Sequence, residues 1–372
     1  MQLFTDLLPT PTPISQVVEH VASTITKSPS HHPENPVPSR APNTGRMGVP
    51  PTRQNPWQRI GRSFTPTSDA MEALHRSGLN WTVEKVGLRT EDLTPVEGHV
   101  AIKRTDTGRI LGITGRDFEP LQNADAFAFF SDLAGEARIS FETAGSFEHG
   151  GITWVQAKLP DLTIRLGEDI SDSFLFISNG HVGNKMLTIA PTTHRIACRN
   201  TMAMAERQYA DARRQRPSLA SGFSVRHTKG MNAALADIRD AYARTLRSHA
   251  ATTEAYEHLA RKPLTTVMTD NFITAVFEAG VGPDESDRAK TIRINRRERI
   301  NSILASPTSN VRGTAGTAFA LFQAAIEHID HDRVTRAAEG EDPIEKRMAS
   351  AVFGSGSILK ARAWNAALEV AV

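Results

Sequence analysis

Residues 173–201 read SFLFISNGHVGNKMLTIAPTTHRIACRNT, and this stretch decides the fold. It holds two apolar runs, Ser173–Ser178 and Lys185–Ala190, on either side of the polar turn Asn179–Asn184. Short apolar runs joined by a turn rich in Gly and Asn are typical of antiparallel strands. The second run leads through cationic residues to Asn200, near which the sequence predicts that a helix begins.

The same pattern extends toward the N-terminus. Asp106-Thr107-Gly108 and Glu148-His149-Gly150-Gly151 are turn sequences between strand-like runs. Helices are predicted at Asn123–Leu133 and between a cap at Thr67 or Ser68 and Gly78. Because neighbouring strands joined by short turns pair antiparallel, the predicted fold class is α+β, with a mostly antiparallel sheet. The further predicted strands are Asn80–Val86, His99–Arg104, Arg109–Thr114, Ile139–Phe147 and Ile152–Leu159.

Three regions follow from composition. Residues 1–56 hold 11 of the 21 prolines, so we expect a disordered Pro-rich tail. A short helix at residues 14–25 within it is expected to dock on a partner protein or on the body of this chain. Residues 57–200 are predicted to form the α+β domain, and residues 201–372 a mainly helical region packed on it.

Cysteine and hydropathy restrict the class of protein. Cys198 is the single cysteine, so the sequence predicts neither an intrachain disulfide nor a Cys/His zinc framework. No apolar run approaches the roughly 18 residues of a membrane span, and no secretory signal is recognised, so we expect a cytoplasmic protein. The Walker, GxGxxG, HExxH and GxSxG motifs do not occur, and no cofactor is predicted.

The formal net charge of +2 hides two opposite segments. Segment Glu84–Asp172 holds 9 basic and 16 acidic residues, whereas segment Lys185–Lys229 holds 9 basic residues against Glu206 and Asp211. Segregated charge of this kind indicates either a charged ligand or pairing between the two segments.

Several motifs occur in a fixed order over about residues 70–372, and as a set they resemble a family of phage- and plasmid-borne proteins of unknown function. The resemblance implies a mobile-element context rather than a reaction. The family's turn usually reads Asn-Ser-His-Asp-Gly, but Val182 follows His181 here, so a role that needs an acid at that position is not expected. The motifs are Gly78–Val83, Thr143–Phe147, Ser178–His181, Arg195–Thr201, Arg226–Thr228, Gly313–Phe319, Glu327–His331 and Phe353–Gly356 with Lys360.

The junction Lys185–Thr201 is a candidate anion site. If a helix begins near Asn200 or Thr201, its free amides and positive dipole end lie beside Arg195 and Arg199, which suits a phosphate. The alternative is that Arg195 pairs inside the fold with an acid of segment Glu84–Asp172. The predicted nucleic-acid or phosphate contacts are Lys185, Arg195, Arg199, Asn200, Arg226 and His227.

A second basic cluster spans Arg288–Arg299, with six cations against one anion in twelve residues. Such a cluster can neutralise several phosphates, although a solvated helix face has the same composition. The contacts predicted here are Arg293, Arg296, Arg297 and Arg299.

Catalytic and metal sites are weaker hypotheses. Cys198 as a nucleophile, with His181 or His194 as the base, has the residue types of a thiol hydrolase, but Cys198 shares a strand phase with Ile196 and a packing role is favoured. His328 and His331 or Asp332 share a helix face with metal-ligand spacing, but without a third ligand a polar helix end is favoured.

The sequence therefore favours a nucleic-acid-binding protein of a phage- or plasmid-type mobile element, acting in DNA replication, recombination or repair. Binding or annealing of single-stranded DNA by a homo-oligomer is one form of that function. The alternatives are an enzyme acting on a phosphorylated small molecule or nucleotide through His181 and His194, and a noncatalytic protein that binds a host factor through its tail. The residues favour a protein that is not an enzyme.

Overall fold

The computed structural model describes residues 56–128, 139–182, 185–197, 201–203, 223–225, 238–278 and 285–371. The predicted disordered tail and the helix at 14–25 lie outside these residues. Among the described residues, no helix has both the length and the apolar character that a membrane crossing requires.

The centre of the fold is an eight-stranded antiparallel sheet. Its strands run in the order β1-β5-β6-β8-β9-β10, with β7 paired to β8 and β11 paired to β9. The hairpin predicted within residues 173–201 consists of β8 and β9, in which Phe176 lies opposite Ala190. The strands are β1 Gly61–Thr67, β5 Ser140–Phe147, β6 Ile152–Lys158, β7 Ile164–Leu166, β8 Asp169–Gly180, β9 Leu187–Arg195, β10 Thr201–Ala203 and β11 Phe223–Val225.

A second, three-stranded sheet and the helices cover the large sheet. The second sheet has the order β2-β3-β4, with β2 Val83–Arg89, β3 Pro95–Arg104 and β4 Ile110–Gly115. Helices α1 Pro56–Ile60 and α2 Ala70–Ser77 lie in the N-terminal half, together with helical residues 123–128, named α3. The C-terminal half has α4 Ile238–Arg261, α5 Thr266–Phe277, α6 Asp287–Leu304, α7 Ala318–Glu327, a π-helical turn His328–Asp332, α8 Pro343–Phe353 and α9 Ser355–Ala371.

Both faces of the large sheet are buried. Because successive strand residues point to opposite faces, Leu175 and Ile177 lie on one face and Phe176 on the other. The first face packs against α2, α3 and the second sheet. The second face packs Phe176 and Trp154 against Trp57 of α1 and against α8. A third core fills the helical half and takes in strand β7.

Several elements differ from the sequence prediction. Strands β1, β7, β10 and β11 were not predicted, since β1 contains Pro66 and the other three are only three residues long. The helix predicted to begin near Asn200 or Thr201 is wrong, because Thr201–Ala203 pairs with β9 as a strand. The cap of α2 is Asp69, one residue beyond Ser68, and Gly78 ends that helix as predicted.

The large sheet meets the helical half at two glycines. Gly167, in the turn between β7 and β8, packs against the backbone of Gly313, and the Glu168 N–H donates to the Arg312 carbonyl over 2.9 Å. A methyl group on Gly313 would lie against the Leu166 carbonyl oxygen and 2.9 Å from the Cα of Gly167. Gly167 and Gly313 therefore permit the two loops to touch backbone to backbone.

We expect Gly313→Ala to destabilise the protein far more than Gly316→Ala. Both glycines have positive φ, 103° and 68°, so alanine is strained at both, but only open space surrounds the Cβ position of Gly316. Urea unfolding should show a loss of about 1 kcal/mol for G316A and of at least about 3 kcal/mol for G313A. Equal losses of stability in the two variants would show that the loops of Gly167 and Gly313 can move apart without destabilising the protein.

Candidate functional site

Arg195 lies inside the fold with 1% of its side chain exposed. Its Nε donates to Asp169 Oδ1 over 2.8 Å, its Nη2 lies 2.5 Å from Asp169 Oδ2, and its Nη1 donates to the Thr308 carbonyl over 2.7 Å. Asp169 belongs to segment Glu84–Asp172, so the structure confirms the alternative prediction of internal pairing. Because its guanidinium binds these partners inside the fold, Arg195 does not form part of the predicted anion site.

The pair belongs to a longer buried polar network. Thr314 Oγ1 donates to Asp169 Oδ2 over 2.6 Å, and Thr308 Oγ1 donates to Glu327 over 2.8 Å. The guanidinium also lies 5.6 Å from the centre of the Phe319 ring. Since Asp169 and Arg195 are on β8 and β9 and the other residues precede or form α7, this network joins the sheet to the helical half.

The rest of the predicted anion site is not assembled within the described residues. The expected helix N-terminus is absent there, since Thr201 pairs with His194 across two strands. Lys185 is half-buried, with its Nζ 5.8 Å from the Phe353 ring. The other candidates, Cys198, Arg199, Asn200, Arg226 and His227, lie outside the described residues.

The predicted cations of α6 hold neighbouring elements together. Arg297 donates to Glu278 over 2.6 Å, and this bond holds the pKa of the Glu278 carboxyl below its usual range. Arg296 donates to the Phe277 carbonyl and lies over the Phe277 ring. Carboxylates from other elements thus occupy much of the positive charge that was predicted to bind phosphate. The ion pairs are Arg297 with Glu278 and Asp270, Arg293 with Glu278 and Glu285, and Arg299 with Asp332.

His181, a catalytic candidate, is fully buried in a second polar network. Its Nε2 lies 2.9 Å from Asn123 Oδ1, which also accepts from Thr153 Oγ1, and Asn179 Nδ2 donates to the Leu121 carbonyl. The adjoining cavity has room for about one water molecule. This network anchors α3 on the sheet and offers no space for a substrate.

The metal candidates His328, His331 and Asp332 all lie on the π-helical turn. Asp332 pairs with Arg299, and Asp330 forms a buried ion pair of 2.5 Å with Lys360. In the part of the chain that the structure describes, no three His, Cys, Asp or Glu side chains are arranged to hold a metal ion. Motif residues Asp330 and Lys360 thus connect the turn to α9.

One group of titratable side chains crosses four adjacent strands on the second face of the large sheet. Lys158 Nζ lies 2.9 Å from Asp172 Oδ2, and Asp172 lies directly opposite His194 in the β8–β9 pair. Glu142 reaches the group because the register shifts between Phe141 and Thr143. We name Glu142, Lys158, Asp172 and His194 the acid–base row.

The acid–base row has the elements of proton-transfer chemistry. Burial raises the pKa of the Glu142 carboxyl, Lys158 opposes this rise, and Asp172 adds to it. His194 lies 3.2 Å from Gln156 Nε2 and is flanked by the rings of Trp57 and Phe174. A carboxyl with a raised pKa near a lysine and an imidazole can donate and accept protons. The two carboxyl groups make the row a poor phosphate site.

A separate exposed group of cations lies at the edge strand β1. Arg59 and Arg62 are exposed, and neither has a carboxylate partner among the described residues. Arg62 extends across the C-terminal end of α2, where Gly78 lies beneath its guanidinium. His75 and Arg76 lie in the last turn of that helix. We name Arg59, Arg62, His75 and Arg76 the basic edge.

Of the acid–base row, only His194 was a candidate from sequence, and no residue of the basic edge was predicted. A usable signal for the row is the alternation of Gln156 and Lys158 with apolar residues in β6, which places polar groups on one face of a buried strand. Glu142 carries no such signal, because its position depends on the register shift in β5. The basic edge was not predicted, because it directly follows the proline-rich sequence that was interpreted as a disordered tail.

A family model described as Domain of unknown function (DUF932) matches residues 110–352, well over half of the chain. The match confirms the prediction of a family of unknown function; the phage and plasmid context stays a prediction. The matched residues take in the acid–base row and the Asp169–Arg195 pair but not the basic edge. No curated protein and no solved structure matches the chain.

Removing one member of the Asp169–Arg195 pair should be costly. Arg195→Met leaves a buried carboxylate without its counter-charge, for which we expect a loss of about 3–5 kcal/mol in urea unfolding. The double variant Arg195→Met with Asp169→Leu should lose less, since no charge remains buried. Lys158→Met, at the half-exposed pair with Asp172, is the control and should lose no more than about 1 kcal/mol. A stable R195M protein would contradict this account.

His328 should make stability depend on pH. Burial lowers its pKa to about 4, with contributions from Arg296, Arg299 and Arg333 against the opposing effect of Asp332. Because the folded pKa lies below the unfolded value of about 6.5, stability is complete above pH 6.5 and is lost as pH falls toward 4. Unfolding measured at pH 6.5 and pH 5 should therefore differ by about 2 kcal/mol from this group.

His328→Gln should remove that component of the pH dependence, whereas His75→Gln at an exposed position should leave it intact. If the free energy of unfolding depends on pH identically in H328Q and in the unmodified protein, His328 is not the source of this pH dependence.

Proposed function

The protein belongs to the family described as Domain of unknown function (DUF932), and we propose that it binds nucleic acid through the basic edge. The contact is made to phosphates along the backbone of the nucleic acid and is independent of base sequence. Following the resemblance to phage- and plasmid-borne proteins, we place this binding in the replication, recombination or repair of mobile-element DNA.

The exposed arginines of the basic edge are the observation that carries the proposal. Arg59 and Arg62 are exposed and have no carboxylate partner among the described residues, while many other arginines are paired with acids. Each guanidinium can bind a phosphate in bidentate fashion. Arg76 donates to the Thr65 carbonyl of β1 and to Glu72, which fixes its side chain against that strand.

The sequence before β1 supports the same location. From Lys27 to Thr67 the chain has six cations against the single acid Glu34. A segment with this charge is attracted to a polyanion over roughly a Debye length of about 8–10 Å at moderate salt. The basic edge therefore receives its ligand next to the most positive part of the N-terminal sequence.

The aromatic residues support phosphate contact rather than base stacking. Trp154, Phe174 and Phe176 are buried in the second face of the large sheet. Stacking on bases needs exposed rings. Among the described residues, the large aromatic side chains of this sheet are thus part of the core, and single-stranded and duplex DNA are expected to bind by the same backbone contacts.

Binding should show a salt dependence that falls when the basic edge is altered. We expect log affinity for labelled single-stranded DNA, measured by fluorescence anisotropy, to fall linearly with log salt. Arg59→Gln with Arg62→Gln should weaken binding and reduce the slope by about 1.4, since each phosphate contact contributes about 0.7 for single strands.

The matched control is Arg288→Gln with Lys290→Gln, two exposed cations at the start of α6. It should leave the slope unchanged, and a loss confined to this control would move the phosphate surface to α6. No binding even at low salt would sink the proposal. The acid–base row would then be the remaining candidate site, for an enzyme whose substrate is neutral or cationic at the point of contact.

A further inference from the structure

Two arginines beside the π-helical turn differ from the ion-paired arginines of the helical half. Arg296 of α6 donates through Nη1 to the Phe277 carbonyl over 3.3 Å. Arg333 directly follows the turn and donates to the hydroxyls of Ser350 over 3.2 Å and of Ser355 over 2.9 Å. Neither arginine forms an ion pair with a carboxylate among the described residues. Because a guanidinium group carries five N–H donors, most donors of both side chains have no protein partner in this part of the chain.

His328, the first residue of the turn, brings a buried ring nitrogen to these arginines. The residue is 9% exposed, and its Nδ1 has no hydrogen-bond partner within the described ranges. Its ring meets the Phe277 ring edge to face with 5.7 Å between centroids, and the Arg296 guanidinium lies 5.5 Å from the centre of the same ring. The Arg333 N–H donates to the His328 carbonyl over 2.8 Å. We name Arg296, His328 and Arg333 the Arg–His cluster.

The Arg–His cluster brings like charges together. Burial lowers the pKa values of both His328 and Arg333, and the charge of Arg296 lowers both further. Arg299 also acts against protonation of His328, but its own charge is compensated by the ion pair with Asp332. Arg296 and Arg333 therefore remain as two positive charges that repel one another at a partly buried position.

Two other acids of this region have partners of their own. The Glu278 carboxyl is held by Arg297 over 2.6 Å, and Glu327 accepts from Thr308 Oγ1 over 2.8 Å. Like charges that are half-buried together are unfavourable unless an anion lies between them. A buried imidazole nitrogen without a partner is unfavourable for the same reason, since a ligand atom can satisfy it. Both observations point to an anionic ligand.

We propose that the Arg–His cluster binds the phosphate group of a small molecule. A phosphate accepts hydrogen bonds through several oxygens and takes bidentate contacts from guanidinium groups. Near neutral pH a phosphate monoester carries a charge of about −1.5 to −2, which matches the two arginines. The His328 ring supplies a further donor. This site is separate from the basic edge and does not depend on the binding of nucleic acid.

Calorimetric titration of the full chain with inorganic phosphate at constant ionic strength tests the site. We expect binding, with an affinity at least about tenfold lower in Arg333→Gln, because a hydrogen bond to a charged group is lost. The matched control is Arg336→Gln, an exposed arginine three residues further along without a described carboxylate partner, and it should leave the affinity unchanged. Absence of phosphate binding, or equal affinity in R333Q and the unmodified protein, would overturn the proposal.

Arg296→Gln provides a second variant, since R333Q also loses the hydrogen bonds to two serine hydroxyls. R296Q should likewise lower the affinity for phosphate at least about tenfold. Circular dichroism and the urea midpoint verify that the variants fold. If R296Q folds and binds phosphate like the unmodified protein, Arg296 does not hold the ligand and the proposed cluster is wrong.

The His328 ring reports the ligand directly. Its resonance is identified in histidine ring NMR spectra as the one absent from H328Q. Addition of inorganic phosphate should shift this resonance in the unmodified protein and leave it in place in R333Q. A His328 resonance that saturating phosphate does not move would contradict the assignment of this side chain to the site.

Two comparisons test the class of ligand. Acetate at the same ionic strength should bind at least about tenfold more weakly than phosphate, because it has one charge and two oxygens. Equal affinity for acetate would overturn the phosphate assignment. In the anisotropy assay with single-stranded DNA, R296Q and R333Q should leave the salt slope unchanged. A lower slope in either variant would overturn the small-molecule assignment and make the cluster part of the nucleic-acid surface.

These results are separable from those for the basic edge. The phosphate titration contains no nucleic acid, so absence of DNA binding leaves it unaffected. Arg59→Gln with Arg62→Gln should leave the affinity for phosphate unchanged. A protein that binds DNA with the expected salt slope but does not bind phosphate would retain the proposed function and lose only this site.

Discussion

The buried ion pair of Asp169 and Arg195 is the interaction on which the rest of the structure depends. Two unit charges with 1% exposed side chains are tolerated only if each is fully compensated, because desolvation of an unpaired charge costs several kcal/mol. On the two strands that carry the pair, Asp169 and Arg195 are partners of each other. Thr314 and the Thr308 carbonyl supply further partners, so the loop before α7 must dock on the sheet for these hydrogen bonds to form. The second buried pair, Asp330 with Lys360, imposes the same requirement on the π-helical turn and α9.

Local patterns predicted the parts of the fold that depend on local chemistry. The β8–β9 hairpin follows from two apolar runs and a turn, and the end of α2 follows from Gly78 in the left-handed conformation. Strands β10 and β11 could not be found in this way, because three residues carry no periodicity. They form strands because both pair with β9, a strand already fixed by its pairing with β8.

The candidate site was less predictable than the fold, since charge pairing depends on distant residues. Segregated charge predicted for Arg195 either a phosphate or an acid of the preceding segment, and it did not single out Asp169, 26 residues away. Arg297 meets Glu278, 19 residues away, and Arg299 meets Asp332, 33 residues away. A basic helix sequence is thus compatible with a phosphate surface and with an ion-paired interior, and only tertiary contacts decide between them.

The buried, paired arginines and the exposed Arg59 and Arg62 lie in different parts of the chain. The family match covers residues 110–352, and within it lie the Asp169–Arg195 network and the paired arginines of α6. Arg59 and Arg62 precede that match and have no described carboxylate partner. The paired arginines of the matched region thus hold elements together, whereas Arg59 and Arg62 before it are exposed and remain the candidates for a nucleic-acid ligand. The nucleic-acid contact that we propose at the edge strand β1 therefore lies outside the residues that the family model matches, on a part of the surface that the buried ion pairs do not use.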